Sequence, residues 1–321
     1  MERSVSVLLI TFDSERYLRR CFAGINGQTI RPLEVVVIDN ASRDGSLNLV
    51  QELSPSALIT RNQENRGFAA AANQAISGSQ GAFVLLLNPD VFLEPEYLER
   101  LVASMDDPDV GSATGKLRRG SGDDIAPTLL IDSKGIRMTR SGRHLDIDSE
   151  RPDSGREETS EVFGVSGAAA LYRRSMLLDV SIEGQPFDED FFAYREDADL
   201  AWRARIFGWK AMYVPETLAY HVRRVTPAVR KQLPEELNMH SVKNRFLLRL
   251  KNEGAYLAIR NAPFEIARDL QVLIATLTIE RTSLPAWNWL WRHRASIAAK
   301  RRLIQAKRKV SDRQLARWFG K

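Results

Sequence analysis

Phe83-Val84-Leu85-Leu86-Leu87-Asn88-Pro89-Asp90 is the stretch on which the fold turns. Its five apolar residues run unbroken, the pattern of a strand buried on both faces inside a parallel sheet. Pro89 has no N–H to extend a ladder and holds Asn88 extended, so the chain leaves the sheet there. The exit presents an amide and a carboxylate at the carboxyl edge, where open α/β sheets bind ligands. A carboxylate at that edge suits a divalent cation held against a phosphate. The same three residues also read as a plain turn.

Strands and helices alternate around this run. Residues 5–10 read as a strand ending at Thr11, and Leu18, Cys21, Phe22 and Ile25 follow at helical spacing with Ser14 as N-cap. Residues 34–38 form a second buried strand ending at Asp39, followed by a helix with Leu47, Val50 and Leu53 on one face. A third strand is expected at 57–60 and an alanine-rich helix at 67–76. Alternation at these lengths predicts right-handed crossovers and a mostly parallel central sheet flanked by helices. Gly, Ser, Asp and Arg dominate 118–161, which predicts an irregular insertion with short hairpin strands near 129–131 and 135–138. Residues 199–207 read as a helix stopped by Gly208, and 209–214 as a strand closed by Pro215. Beyond Pro234 the pattern is helical and amphipathic. The expected division is a body of residues 1–233 and a helical, basic C-terminal extension of residues 234–321.

With 321 residues, 44% hydrophobic and 27% charged, the chain has the composition of a large soluble α/β protein. Its single cysteine, Cys21, excludes an internal disulfide; it sits on an apolar helix face and suits a reducing compartment. No signal peptide is legible, and no apolar run is long enough for a bilayer. The net charge of +5 hides an asymmetry: residues 281–321 hold twelve Lys/Arg and one acid, Asp312. Trp287, Trp289, Trp291 and Trp318 accompany Lys300-Arg301-Arg302 and Lys307-Arg308-Lys309, a mixture suited to an anionic membrane surface. A solvated basic helix packed on its own domain fits the same charges. Zinc spacings and aromatic-basic sheet motifs are missing from the tail, which argues against nucleic acid.

Candidate chemistry lies at strand ends. Asp39 begins Asp39-Asn40-Ala41-Ser42-Arg43-Asp44-Gly45-Ser46, a polar loop able to close on a nucleoside, or to cap the next helix through Asp44 or Ser42. Asn65-Arg66-Gly67-Phe68-Ala69 places Arg66 and backbone N–H groups at a helix start, where a diphosphate would fit. Phe191-Phe192-Ala193-Tyr194-Arg195-Glu196-Asp197-Ala198-Asp199 sets three acids between aromatics and a helix. A desolvated carboxylate there could take a proton from a hydroxyl; equally, three acids are favourable first-turn charges. His221 matters only where the fold returns it to Asp90.

Taken together, Thr11-Phe12-Asp13-Ser14-Glu15, Val36-Val37-Ile38-Asp39-Asn40-Ala41-Ser42, Asn65-Arg66-Gly67-Phe68, Leu87-Asn88-Pro89-Asp90 and the segment from Phe191 through Arg203 resemble the family 2 glycosyltransferases of GT-A fold. The branch they resemble is the bacterial rhamnosyltransferase type of cell-surface polysaccharide assembly, over residues 5–251. The resemblance implies inverting transfer from a nucleoside-diphosphate sugar, with dTDP-rhamnose as first donor, to a saccharide hydroxyl on a lipid-linked acceptor. It implies nucleotide-sugar contacts by Thr11, Asp13, Asp39, Arg66, Gly67, Asn88, Asp90 and Gly167, the last within the Gly164-Val165-Ser166-Gly167-Ala168 loop. Asp197 matches the catalytic base, with Glu196 beside it, and Asp90 with His221 match the ligands of a Mg or Mn cation. Asn88 stands where the family's metal motif has its first acid, and Asp13 where many relatives carry Asn. The implied location is cytoplasmic, peripheral on the inner face of the membrane. A nucleotide-sugar-binding protein without catalysis and a UDP-hexose or UDP-galactofuranose transferase are the alternatives.

Overall fold

Strand β1 (Val5–Thr11) and the elements after it alternate as the apolar pattern requires: α1 (Glu15–Asn26), β2 (Glu34–Asp39), α2 (Ser46–Leu53), β3 (Leu58–Arg61), α3 (Phe68–Ser77) and β4 (Phe83–Leu87). The computed structural model describes residues 3–121, 126–155, 157–223 and 235–320. The order β3-β2-β1-β4 is parallel throughout, with Thr11 opposite Asp39 in the β1–β2 register. Every residue of β1 and β4 is buried. Alternate residues feed two cores: Leu8, Ile10, Val84 and Leu86 pack with the alanines of α3, while Val7, Leu9, Leu85 and Leu87 pack with α1 and α2. This two-sided burial is why these strands read as continuous apolar runs.

The second half of the sheet is mixed. It contains β5 (Val91–Leu93), β6 (Val110–Ser121) after α4 (Tyr97–Ala103), β7 (Ala126–Ser133), β10 (Ser160–Glu161) and β11 (Ala169–Arg173), while β8 (Ile136–Thr139) and β9 (His144–Asp146) lie in a separate small sheet. Then come α5 (Arg174–Asp179), α6 (Glu196–Ile206) and β12 (Lys210–His221). Strand β11 runs antiparallel between β4 and β6, and β6 pairs parallel with β12. In the expected irregular insertion at 118–161 the short strands foreseen near 129–131 and 135–138 are present as β7 and β8, and the segment is more regular than expected: β7 pairs with β6, and β8 with β9. Its polar composition reflects strands half-open to solvent, not a lack of pairing.

Other local expectations are corrected too. Ser14 sits at the α1 N-cap position, but its side chain makes no cap hydrogen bond and instead donates to the Phe12 carbonyl at 3.1 Å. On α2 the buried apolar residues are Leu49 and Val50, with Leu47 only partly buried. Helix α6 begins at Glu196, three residues before the expected start. Pro215 does not close a strand, because β12 passes it by a register shift between Val214 and Leu218, a bulge that absorbs the missing donor. Gly115 faces that bulge; a Cβ there would meet the Thr217 carbonyl oxygen at 2.4 Å.

The helical region consists of α7 (Glu235–Asn252), α8 (Ala255–Thr278), α9 (Pro285–Arg292), α10 (Arg294–Ala306) and α11 (Asp312–Leu315), closed by β13 (Phe319–Gly320). Strand β13 pairs with β8, so the chain end returns to the body. A buried charge cluster fastens α7 beneath α6. Lys251 lies 3.0 Å from Asp199 and also pairs with Asp188; Asp199 pairs with Arg203 at 2.9 Å; Lys300 reaches Asp188 at 2.6 Å. Asp199, expected among candidate acids, is thus an anchor.

Four basic residues of the tail, Lys300, Arg308, Lys309 and Arg317, pair with the protein's own acids. Lys309 lies 3.6 Å from Asp179, Arg317 3.4 Å from Glu161, and Arg308 2.8 Å from Asp312. Trp287 packs on Phe246, Trp289 beneath Lys243, and Trp318 between Phe163 and Arg205; Trp291 is 67% exposed. No helix among the described residues is long and apolar enough to cross a membrane.

Candidate functional site

The carboxyl ends of β1, β2 and β4 bring Thr11, Asp39, Asn88 and Asp90 to one edge. Asp39 is 1% exposed and accepts from Thr11 Oγ1 at 3.1 Å and from the Ser42 N–H at 3.3 Å. Arg61 Nε stands 3.9 Å away. Asp44 takes the turn role, accepting from the Ser46 N–H at 2.9 Å and the Glu15 N–H at 3.0 Å. Asp13, at φ 48°, accepts from the Arg43 N–H at 2.8 Å, so it braces the Asp39 loop.

Asn40 was not singled out from sequence, yet it ties this loop to the next. Its Nδ2 donates to Asn65 at 2.8 Å, and its Oδ1 accepts from the Arg66 N–H at 3.1 Å. Arg66 itself is exposed at the start of α3. Gly67 has φ +80°, and a Cβ there would strike the Phe192 ring at 2.5 Å. The Ala69 N–H donates to the Phe192 carbonyl at 3.1 Å, so the Arg66 loop and the acid-bearing segment are in direct contact.

Asp90 meets His221 because β5 pairs antiparallel with the end of β12, Val91 opposite His221. His221 Nε2 lies 3.6 Å from Asp90, and Nδ1 lies 2.8 Å from Asp132, a buried acid on β7. Arg223 and Arg119 flank Asp132 at 3.1 and 3.4 Å. Burial pulls the imidazole pKa down, but the hydrogen bonds and charges of Asp132 and Asp90 outweigh it and raise it to about 10. Asp132 orients the ring so that Nε2 faces Asp90, the outer-sphere carboxylate arrangement of metal-ligating histidines. No cluster of three His, Cys, Asp or Glu ligands exists among the described residues. The donor set fits a divalent cation completed by diphosphate oxygens and water, the usual state of Mg²⁺ in such sites.

Glu196 and Asp197 open α6. Asp197 accepts from the Gly167 N–H at 3.1 Å and the Ala198 N–H at 2.7 Å. Burial raises its pKa against those two donors; the Asp146 charge adds to the rise and Arg223 opposes it. Glu196 is pushed up to about 8 by burial and then by the charge of Asp197, and its Oε2 has no hydrogen-bond partner among the described residues. The phenol of Tyr172 on β11 is buried, and the Asp197 and Glu196 charges add to its burial in raising its pKa.

The loop before these acids is strained: Phe192, Tyr194 and Arg195 all have positive φ, of 62°, 68° and 74°. Asn244 of α7, fully buried, places its Nδ2 2.8 Å from the carbonyl oxygens of Phe191, Ala193 and Tyr194. Nothing in an amphipathic helical pattern marks Asn244 for this role. Likewise Asp132, Tyr172 and Arg223 carry no sequence signal, since each acts through partners far along the chain.

The profile of the family described as "Glycosyl transferase family 2" matches residues 6–180, more than half of the chain. A putative glycosyltransferase, EpsH, of Bacillus subtilis is 25% identical over 275 residues, covering 81% of this chain and 69% of that protein. The N-acetylglucosaminyl-diphospho-decaprenol L-rhamnosyltransferase of Mycobacterium tuberculosis is 28% identical over 236 residues, covering 67% of this chain and 75% of that protein. Among solved structures, that of GalNAc-T7 with UDP, GalNAc and Mn²⁺ superposes with a TM-score of 0.60 at 14% identity. It covers 77% of this chain, which spans about half (48%) of that longer protein. The likeness shows that the fold is GT-A.

Proposed function

The chain belongs to glycosyl transferase family 2, and on that premise we propose that it moves a sugar, with inversion, from a nucleoside-diphosphate sugar to a saccharide hydroxyl. The carrying observation is that the strand end bearing Asp90, which meets His221, is tied to the acid pair: the Asn88 N–H donates to the Ala168 carbonyl at 2.8 Å, and the neighbouring Gly167 N–H donates to Asp197 at 3.1 Å. Thr11 and Asp39 would hold the nucleoside, with Asp13 bracing their loop, and Arg66 and Asn88 would face the diphosphate. Gly167 orients Asp197 through its N–H. Asp197 takes the proton of the acceptor hydroxyl while that oxygen bonds to the anomeric carbon. The bond from that carbon to the diphosphate oxygen breaks on the opposite face, and its electron pair leaves with the nucleoside diphosphate. A Mg or Mn ion bound by Asp90 and His221 would supply charge neutralisation on that diphosphate.

The donor in this reading is dTDP-rhamnose, supported by the motif resemblance and the named mycobacterial relative, with a UDP-hexose or UDP-galactofuranose second. The acceptor saccharide is lipid-linked, and the protein works at an anionic membrane surface. Support for that surface comes less from the tail lysines, which are used internally, than from exposed Trp291 and the open row Ile259, Ile266, Leu270 and Ile274 on α8. A panel of nucleotide sugars with and without Mn²⁺, scored by thermal shift and by product formation, tests the assignment. Stabilisation by one donor with turnover confirms transfer; stabilisation without hydrolysis or transfer recasts the chain as a nucleotide-sugar-binding protein.

A further inference from the structure

Between α7, α8 and the acid loop lies a cavity of about 220 Å³ that none of the donor-site residues lines. Arg195, Arg245 and Arg268 form its walls with Ser241, Gln271 and the carboxylate of Glu280. Arg245 is held by the Ser141 carbonyl at 2.8 Å and by Asp269 at 3.4 Å, but Asp269 is shared with Arg249. Arg268 donates to Gln271 at 3.0 Å, a neutral partner. Among the residues that line the cavity, three guanidinium groups therefore stand against one carboxylate, that of Glu280.

Neighbouring groups register that excess. His144 is held down to about 3 by burial and then by the charges of Arg195, Arg223, Arg143 and Arg245. Arg245 is lowered to about 10 by burial, with Arg249 and Arg268 acting against the charge of Asp269. Guanidinium groups crowded at a cavity of this size match the oxygens of a phosphate, which they bind through paired N–H donors. Arg195, in the wall of this cavity, is also the N-cap residue of α6, directly before Glu196 and Asp197 in the chain.

We propose that this cavity binds the phosphate or diphosphate through which the acceptor saccharide is joined to its carrier. This rests on the glycosyltransferase reading and assigns the acceptor's charged group to Arg195, Arg245 and Arg268. Glu280 sets the limit of the anionic end, since its carboxylate repels further phosphate oxygens.

The test begins with inorganic pyrophosphate titrated by calorimetry into protein whose donor site is saturated with a nucleoside diphosphate. Arg268→Gln should weaken pyrophosphate about tenfold, the worth of one charged hydrogen bond, and leave nucleotide binding unchanged. Arg268→Lys should keep part of the affinity. In turnover, Arg268→Gln should raise KM for an acceptor saccharide diphosphate and leave KM for its methyl glycoside unaltered. Unchanged pyrophosphate affinity in both Arg268→Gln and Arg245→Gln overturns the site, as does an equal KM change for both acceptors. The pyrophosphate arm needs no turnover, so it reads out even where the transferase assignment fails. A third arm compares sedimentation with phosphatidylglycerol and phosphatidylcholine vesicles. Loss of phosphatidylglycerol binding in Arg268→Gln, with pyrophosphate affinity and KM unmoved, assigns the anion to a membrane headgroup and overturns the acceptor assignment.

Discussion

The donor edge and the acid loop are built on opposite principles. At the edge, Asp39 is buried but supplied with donors from Thr11 and Ser42, all from strands and loops of the first 42 residues. In the loop, Asp197 is likewise supplied with two N–H donors, but Glu196 beside it keeps an oxygen with no partner among the described residues, and three residues just before it hold positive φ. The difference between the regions lies in Glu196, a carboxyl kept desolvated and short of donors. The strain of the second region, about 1–3 kcal/mol per residue in such conformations, persists because α7 overdetermines it through Asn244.

Asp197→Asn should separate the two regions most sharply, lowering turnover about 10³-fold with nucleotide affinity nearly unchanged. A folded variant that keeps its rate would remove Asp197 from the base role. His221→Ala acts at the other side of the site. It should raise the Mn²⁺ concentration needed for half-maximal rate about 10- to 100-fold, and chelation of the metal should stop the wild-type reaction. A rate indifferent to both would separate Asp90 and His221 from any cation. Asn244→Ala should cut turnover about tenfold and lower Tm by about 2–4 °C, while donor binding stays as it was. Equal losses in donor affinity and turnover would mean that α7 supports the whole body and not the acid loop in particular.

The smallest effect concerns pH and stability. Glu196 has a folded pKa of about 8 against an ordinary glutamate near 4.3 unfolded, so the folded state binds more protons between those values. Stability from this group is fully present below the unfolded pKa and is lost as pH rises towards 8. Glu196→Gln should flatten that decline, so that the variant gains stability relative to the wild type as pH rises, measured by urea melts from pH 5 to 8.5. An unaltered slope would show that Glu196 is ionised in the native protein.

The first half of the fold was legible because its causes are local. Unbroken apolar runs at β1, β2 and β4 and helical spacing in α1 report burial directly, and Pro89 marks the sheet exit. In the segment at 118–161 only the strands near 129–131 and 135–138 were legible, because the remaining pairing is made by short, polar stretches in which period-two burial fades. Pro215 misled for a related reason: a bulge removes the need for its missing N–H, and whether a bulge forms depends on β6 beside it. That Lys309, Lys300 and Arg317 of the basic tail meet acids of the body was not legible, because those acids, Asp179, Asp188 and Glu161, lie more than 100 residues away.

By itself the sequence determined the α/β alternation, the strand-end positions of Thr11, Asp39 and Asp90, and the acid-rich start of α6, since each follows from neighbours within a few residues. Only the tertiary structure decided that His221 reaches Asp90, that Asp132 aims its ring, and that Asn244 holds the strained loop. Those partners lie 131, 89 and 51 residues apart, and a contact across such a distance exists only after the sheet order has been chosen.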